Sequence, residues 1–182
     1  MSTKTRQSIS ISNSVRTGIL LALVPIIAAA AVGPTPLIDK VRNATARYLN
    51  INDAISEGFV AATPCVSGPD TGAMGVHMVL PARITAGVLE AEQPEALIYE
   101  PMSGGAMRLV GVEFIVLESV WASKNAAGSV PALDGNLLNY VTTPNRYGLP
   151  AFYEIHVWAW ELNPRGSYAD WNTHVTCAHQ PL

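Results

Sequence analysis

The sequence predicts an α+β protein in which N-terminal helices pack on a small antiparallel sheet or half-open β-barrel. Two observations lead to this prediction. Residues 36–60 repeat apolar side chains at helical spacing, whereas from residue 76 onward short β-branched segments alternate with turns rich in Gly and Pro. Helices first and strands afterwards favour an α+β arrangement over alternating β–α units.

The helical region divides into two predicted helices. Four apolar residues fall on one face of the first helix: Leu37, Val41, Ala44 and Tyr48. A second, shorter helix is expected to begin at Asn52 or Asp53, either of which can cap it, and to end at Gly58. Residues 63–75 are rich in Gly and Pro and are expected to form a loop.

Five segments are predicted strands because their side chains are β-branched or alternate between apolar and polar. They are Val76–Leu80, Ala96–Glu100, Met107–Leu117, Ala151–Leu162 and the short segment Thr173–Cys177. The intervening sequence PMSGGA (residues 101–106) favours a hairpin turn between the second and third of these strands. Residues 122–150 are polar with scattered Gly, Pro and Asn, which indicates a long connection or lid.

Residues 1–31 are interpreted as a secretory signal peptide, and residues 32–182 as a single α+β domain. Three basic residues precede an apolar run, residues 19–32, that ends in small side chains. The run is shorter than the roughly 20 residues of a membrane span, so a cleaved leader is favoured over an N-terminal anchor. The protein is expected to be secreted or periplasmic, without stable membrane insertion once the leader is removed.

The charge balance argues against nucleic acid as a partner. The leader contains three of the 11 Lys and Arg residues and none of the 14 Asp and Glu residues. The mature chain therefore has eight basic residues against 14 acidic ones and no basic stripe. Proteins that bind nucleic acid neutralise phosphates with clustered Lys and Arg side chains, which this sequence lacks.

Cys65 and Cys177 are the only two cysteines. An even number of cysteines in an exported chain predicts a disulfide between them. The bond would close a long loop and stabilise the fold by about 3 to 5 kcal/mol in the chain-entropy model. A metal site at these cysteines is the less favoured alternative, because neither has a CxxC partner.

Three residues in the predicted strands suggest a metal site. His77 and His156 each alternate with apolar neighbours, so each imidazole projects from the opposite side of its strand. Glu113 lies in the middle of an apolar strand, where an unpaired carboxylate is costly to bury. Two imidazoles and one carboxylate suit a divalent transition metal (Cu, Fe, Mn or Zn) with open positions for water or substrate. Glu113 and His156 are also the candidate catalytic residues.

Further polar and aromatic residues are expected near these three. Glu154, Trp158 and Trp160 share the parity of His156 along the predicted fourth strand. They would line the same pocket, with the indoles walling the site or stacking on a ring-bearing ligand. Glu154 and Glu100 are also candidates to surround the metal ligands. A small molecule is the expected partner, and the oligomeric state stays open.

Two other interpretations of these residues stay open. The histidines could be hydrogen-bonded structural residues, with Glu113 paired to Arg108 or Arg146. The same groups could also perform metal-free acid–base chemistry. His174 and His179 lie near the C-terminus and are expected to be exposed. No HxH, HExxH, GxSxG, GxGxxG or P-loop pattern is present, so no sequence motif selects a reaction.

Several phrases of the sequence resemble a group of small exported bacterial proteins of unassigned function. They are AMGVH (residues 73–77), PEALIYEP (94–101), RLVGVEF (108–114) and the segment from FYEIHVWAW to THVTC (152–177). In that group similar phrases recur in this order after a helical stretch like ATARY…DAISEGF, so the resemblance covers most of residues 40–177. It implies export and a common fold, and it implies no reaction.

Three functional hypotheses follow. The leading one is a mononuclear metal site that supports oxidoreductase, hydrolase or lyase chemistry, which requires His77, Glu113 and His156 to converge. The second is a non-enzymatic module that binds a small aromatic or sugar-like ligand against the tryptophans. The third is a structural envelope protein, in which the three residues would be scattered or already satisfied by other partners.

Overall fold

The structure is a computed structural model that describes residues 36–180. The predicted signal peptide, residues 1–31, lies outside the described residues. Within residues 36–180, no helix has the length and apolar character needed to cross a membrane.

The described chain begins with three consecutive helical segments: α1 (Leu37–Thr45), a one-turn 3₁₀ helix (Ala46–Leu49) and α2 (Ile51–Glu57). The cap predicted at Asn52 or Asp53 is wrong. Asn50 caps α2 instead, because its side-chain oxygen accepts a hydrogen bond from the backbone N–H of Asn52 at 3.1 Å. Gly58 ends α2 as predicted, with a φ of 105° that side-chain-bearing residues rarely adopt.

The rest of the described chain contains nine strands and two short helices. The strands are β1 (Val60–Ala61), β2 (Val66–Gly68), β3 (Gly72–Val79), β4 (Ala96–Pro101), β5 (Met107–Leu117), β6 (Ala132–Leu133), β7 (Asn136–Leu137), β8 (Asn139–Val141) and β9 (Phe152–Val157). The helices are α3 (Pro81–Ala86) and α4 (Glu118–Lys124), and a 3₁₀ turn (Ser103–Gly105) joins β4 to β5.

The predicted α+β architecture with N-terminal helices and an antiparallel sheet is confirmed. The main sheet has the order β1-β3-β4-β5-β9-β8, with β2 also paired to β3, and β6 and β7 form a separate hairpin. All of these pairings are antiparallel. In the described chain the edge strands β1 and β8 do not pair with each other, so the sheet is open and is not closed into a barrel.

The strands predicted around His77, Glu113 and His156 all belong to this sheet, but three other predictions are wrong. Residues 63–75 form β2 and the start of β3 rather than a loop, because their glycines allow a tight antiparallel pairing. Residues 173–177 form no strand, and only Asn172 bridges to Ala73. Residues 122–150 contain the end of α4 and three short strands, β6 to β8.

The sheet is covered on both faces, which is why every residue of β4 is buried. One face packs against α1 and α2 through an apolar core that includes Val41, Tyr48, Leu97 and Phe114. The opposite face carries two smaller apolar clusters. They are Ala73, Ile98, Val110, Trp158 and Val175 in one, and Ile84, Ala96, Ile115 and Phe152 in the other. His77, Glu113 and His156 project from this second face.

The predicted fourth strand ends early, at Val157 rather than Leu162. Beyond Val157 the backbone turns, and the N–H groups of Trp160 and Glu161 both donate to the carbonyl of Val110. Gly111 permits this close crossing, since a Cβ there would lie 2.9 Å from the Val157 carbonyl oxygen. The residues after Val157 therefore leave the strand's alternating pattern.

Cys65 and Cys177 lie at disulfide distance, with Cα atoms 5.6 Å apart and a sequence separation of 112. The pair joins the segment before β2 to the C-terminal region. The backbone N–H of Cys65 also donates to the side-chain oxygen of Gln180 at 2.8 Å. A disulfide of this kind is compatible with an extracellular protein.

Candidate metal centre

The register of the sheet brings the three candidate ligands together. Glu113 of β5 lies directly opposite His156 of β9, so their side chains leave the same face. His77 of β3 lies opposite Ile98 of β4, and Ala96 of β4 lies opposite Glu113. The three residues therefore share one face of a sheet built from strands distant in sequence.

The donor atoms of the three side chains face one another in the protein interior. The Nε2 atom of His77 lies 3.4 Å from Nε2 of His156 and 3.5 Å from Oε2 of Glu113. One donor atom from each of the three residues lies within 4.8 Å of the other two. Each residue is at most 2% exposed. These contacts are longer than strong hydrogen bonds, which have donor–acceptor distances of about 2.7 to 3.2 Å.

The other ring nitrogen of each histidine faces an oxygen atom. Nδ1 of His156 lies 3.0 Å from Oε2 of Glu154 and 3.9 Å from Oδ1 of Asp170. Nδ1 of His77 lies 3.4 Å from the hydroxyl of Thr63. In the neutral imidazole, an Nδ1–H that donates to Glu154 leaves the Nε2 lone pair of His156 free for a metal ion. Metal-binding histidines are commonly oriented by a carboxylate in this way.

Burial and neighbouring charges shift the proton affinities of all three groups. Burial lowers the pKa of His77 to about 3, and the positive charges of His156 and Arg146 act in the same direction. The contact between His77 and Glu113 is therefore not an ion pair, because the imidazole is neutral. Burial raises the pKa of Glu113 to about 8, an effect that the charge of His156 opposes.

The pKa of His156 is raised, whereas that of His77 is lowered. Burial alone would lower the pKa of His156, but the charges of Glu113, Glu154 and Asp170 together raise it to about 9. A divalent cation could also neutralise the negative charge around this imidazole. Such an ion binds histidines in their neutral form and carboxylates in their ionised form.

Two pockets reach the cluster, and Tyr147 lines both of them. The first is an apolar cavity of about 80 Å³ whose lining includes His77, Glu113 and Tyr147. The second, of about 150 Å³, is more polar and is lined by residues that include Glu154, His156, Asp170 and Arg146. The ring of Tyr147 packs edge-on against His77, with ring centroids 5.9 Å apart. Burial raises the pKa of Tyr147, so its hydroxyl is neutral.

Glu154 and Trp158 contact the cluster as expected, but Trp160 does not. The indole of Trp158 stacks on His156 with ring centroids 6.1 Å apart. The prediction that Trp160 shares this face is wrong, because the backbone turns after Val157. The indole N–H of Trp160 instead donates to the hydroxyl of Thr45 in α1 at 2.9 Å.

Glu100 is also away from the cluster. It pairs with Arg108 across β4 and β5, and it accepts a hydrogen bond from the backbone N–H of Thr176 at 2.9 Å. The suggested contact between Glu100 and the metal ligands is therefore wrong. The same geometry weakens the structural alternative for Glu113, since Arg108 bonds to Glu100 and Glu161.

The remaining histidines are exposed as expected. Nδ1 of His174 lies 3.6 Å from Oε1 of Glu161 at the surface, and His179 is exposed near the C-terminus. Neither residue belongs to the buried cluster.

Three residues near the cluster are not among the predicted site residues. Asp170 lies in the sequence ADWN, where the acidic group suits a cap as well as a catalyst, and its Oδ1 is 3.9 Å from Nδ1 of His156. Tyr147 belongs to the predicted connection, and Thr63 begins a segment that the sequence predicts to be a loop. Strand alternation could not identify them, because all three lie outside the strands.

Comparison with known proteins adds no family to this description. No protein-family model, curated protein or solved structure matches the chain significantly. The resemblance to small exported bacterial proteins therefore stays a prediction.

Proposed function

We propose that this is an exported protein with a mononuclear metal site in which His77, Glu113 and His156 are the ligands. The observation that carries the proposal is the convergence of two Nε2 atoms and one carboxylate oxygen in a buried position. Glu113 is buried away from water, and its contact with Nε2 of His77, at 3.5 Å, is longer than a strong hydrogen bond. The two Nε2 atoms, 3.4 Å apart, are also not joined by a strong hydrogen bond. A cation would supply a partner to all three groups.

The donor set favours zinc. Two imidazole nitrogens and one carboxylate oxygen, with a fourth position left for water, form a ligand set of catalytic Zn²⁺ sites. The histidine nitrogens lie 3.4 Å apart and His77 lies 3.5 Å from Glu113, whereas Glu113 and His156 lie farther apart, within 4.8 Å. Metal binding would therefore draw Glu113 and His156 together. We favour zinc over Fe, Mn or Cu.

The chemistry proposed for this site is hydrolysis or lyase chemistry rather than oxidation and reduction. Three protein ligands leave one tetrahedral position for water or substrate, and a bound Zn²⁺ supplies Lewis acidity without redox activity. In this proposal Glu154 orients His156, while Asp170 connects that imidazole to the polar pocket. Glu113 is a ligand in this scheme rather than a separate acid or base.

Non-enzymatic binding of a small molecule is the second candidate, and the apolar cavity beside His77 supports it. The tryptophan-lined form of this hypothesis has less support. Trp158 is 3% exposed and Trp160 packs against α1, so neither indole offers a free face to a ligand. A purely structural role would also account for the contact of Nδ1 of His156 with Glu154 at 3.0 Å, but it does not explain why both Nε2 atoms and Glu113 converge.

Elemental analysis and Zn²⁺ titration of the purified, oxidised protein test the proposal. We expect about one equivalent of metal in the wild type and a loss of at least about a hundredfold in affinity in His77→Ala and His156→Ala. The matched control is the double variant His174→Ala/His179→Ala, which removes the surface histidines and should keep the metal. Stoichiometric metal in both buried-site variants, or its loss in the control alone, would overturn the proposal. Circular dichroism of each variant identifies a change in folding.

A further inference from the structure

The apolar cavity differs chemically from the polar pocket, although Tyr147 lines both. Its polar end consists of His77 and Glu113, and the rest of its wall is apolar or aromatic. The wall includes Ile84, Ile115, Leu149 and Phe152. Among the described residues no Lys or Arg lines this cavity, whereas Arg146 lines the polar pocket.

This wall selects against charge on the body of a ligand. A charged group that lies against a largely apolar wall loses its hydration, and it regains that energy only if a partner of opposite charge is present. The proposed metal would be such a partner for the coordinating atom, but the apolar wall offers none to the rest of the molecule. A cationic head would compete with the metal for Glu113 and the two imidazoles.

The size of the cavity limits the ligand as well. A volume of about 80 Å³ accommodates several water molecules or a small organic group, but no extended chain. The walls come from α3, β5, β9 and the segment before β9, so they are held by the sheet rather than by one loop. The cavity is therefore preformed.

We propose that the site takes a small organic molecule with an uncharged, apolar body, which lies in this cavity and presents one donor atom at the end formed by His77 and Glu113. This inference rests on the proposed metal site. It assigns substrate access to the apolar cavity and leaves the pocket with Arg146, Glu154 and Asp170 for water and ions.

The test uses the Co²⁺-loaded protein, whose visible absorption spectrum reports a change in metal ligation. Pyridine serves as the uncharged probe with an apolar body, and acetate as the small anionic probe. We expect pyridine to bind at least about tenfold more tightly than acetate, because burial of its ring adds to its coordination. Equal or tighter binding of acetate would overturn the inference.

Variants of the wall separate the cavity from the metal. Leu149→Phe fills the cavity with apolar volume, and we expect it to weaken pyridine binding about tenfold while acetate binding changes less than about twofold. Ile84→Phe, which also adds apolar volume to the wall, is the second variant if Leu149→Phe fails to fold. The control is Ile55→Phe, an exposed position on α2 that should change neither affinity.

The outcomes distinguish this inference from the metal proposal. If the Co²⁺ spectrum is intact and neither wall variant changes pyridine binding, the proposed ligand class is contradicted. The metal proposal is not affected by that result. Failure of the wild type to bind Co²⁺ at the buried cluster contradicts both.

Discussion

Glu95 should make the protein lose stability as the pH rises, and Glu95→Gln should abolish that loss. Glu95 precedes β4 and is fully buried. Its Oε2 accepts a hydrogen bond from the backbone N–H of Ile115 at 3.0 Å, while Oε1 has no hydrogen-bond partner among the described residues. Burial raises the pKa of Glu95 to about 8 from an ordinary value of 4.5, although the hydrogen bond from Ile115 and the charge of Arg83 oppose the shift.

The direction of the stability change follows from the number of protons bound in the folded and unfolded states. Between pH 4.5 and 8 the folded protein holds this proton and the unfolded chain releases it, so the free energy of unfolding falls as the pH rises. One pKa unit corresponds to about 1.4 kcal/mol, so the loss would be about 3 kcal/mol at pH 7 and up to about 5 kcal/mol above pH 8. Below pH 4.5 this loss is absent.

Urea unfolding of the metal-free, disulfide-bonded protein at several pH values between about 4 and 8 measures the effect. A glutamine side chain keeps an oxygen that can accept the hydrogen bond from the backbone N–H of Ile115, and it cannot ionise. We therefore expect the stability of Glu95→Gln relative to wild type to improve by about 3 kcal/mol between pH 4 and pH 7. The control Glu92→Gln, at an exposed neighbouring position, should follow the wild type. Parallel pH profiles for wild type and Glu95→Gln would refute the reasoning.

Three further predictions follow from particular contacts. Removal of the disulfide in Cys65→Ser/Cys177→Ser should lower the free energy of unfolding by about 4 to 5 kcal/mol, since the closed loop is long, and equal urea midpoints would contradict it. Glu154→Gln should weaken Zn²⁺ binding about 10- to 100-fold by releasing the orientation of His156, whereas Asp170→Asn, which removes the more distant carboxylate, should have a smaller effect. Asn50→Ala should lower the free energy of unfolding by about 1 kcal/mol through loss of the α2 cap, and a larger loss in Asp53→Ala would show that the cap is assigned incorrectly.

The sequence predicts the strands of the site well because their pattern is local. Alternation around His77, Glu113 and His156 depends only on each strand's own residues, and the shared face follows from that parity. The distances between them depend on register, which comes from pairing across the sheet: Glu113 lies opposite both His156 and Ala96, and His77 lies opposite Ile98. No spacing in the sequence contains that information.

The wrong predictions fall where tertiary contacts overrule the local pattern. Trp160 continues the parity of His156 in the sequence. The backbone leaves the strand after Val157, however, and crosses close to Gly111 of β5. Asp170 reaches the cluster from a long C-terminal segment that the disulfide and the bridge to Ala73 hold in place. Glu95 stands before an apolar strand, and only the packing of both faces shows that its carboxyl group is buried.

The most direct test of the central claim is a crystal structure of the Zn²⁺-loaded protein, with anomalous diffraction measured at the zinc absorption edge. We expect one strong anomalous peak within about 2.0 to 2.2 Å of Nε2 of His77, Nε2 of His156 and a carboxylate oxygen of Glu113. A peak confined to His174 or His179, or no peak at the buried cluster after loading, would contradict it.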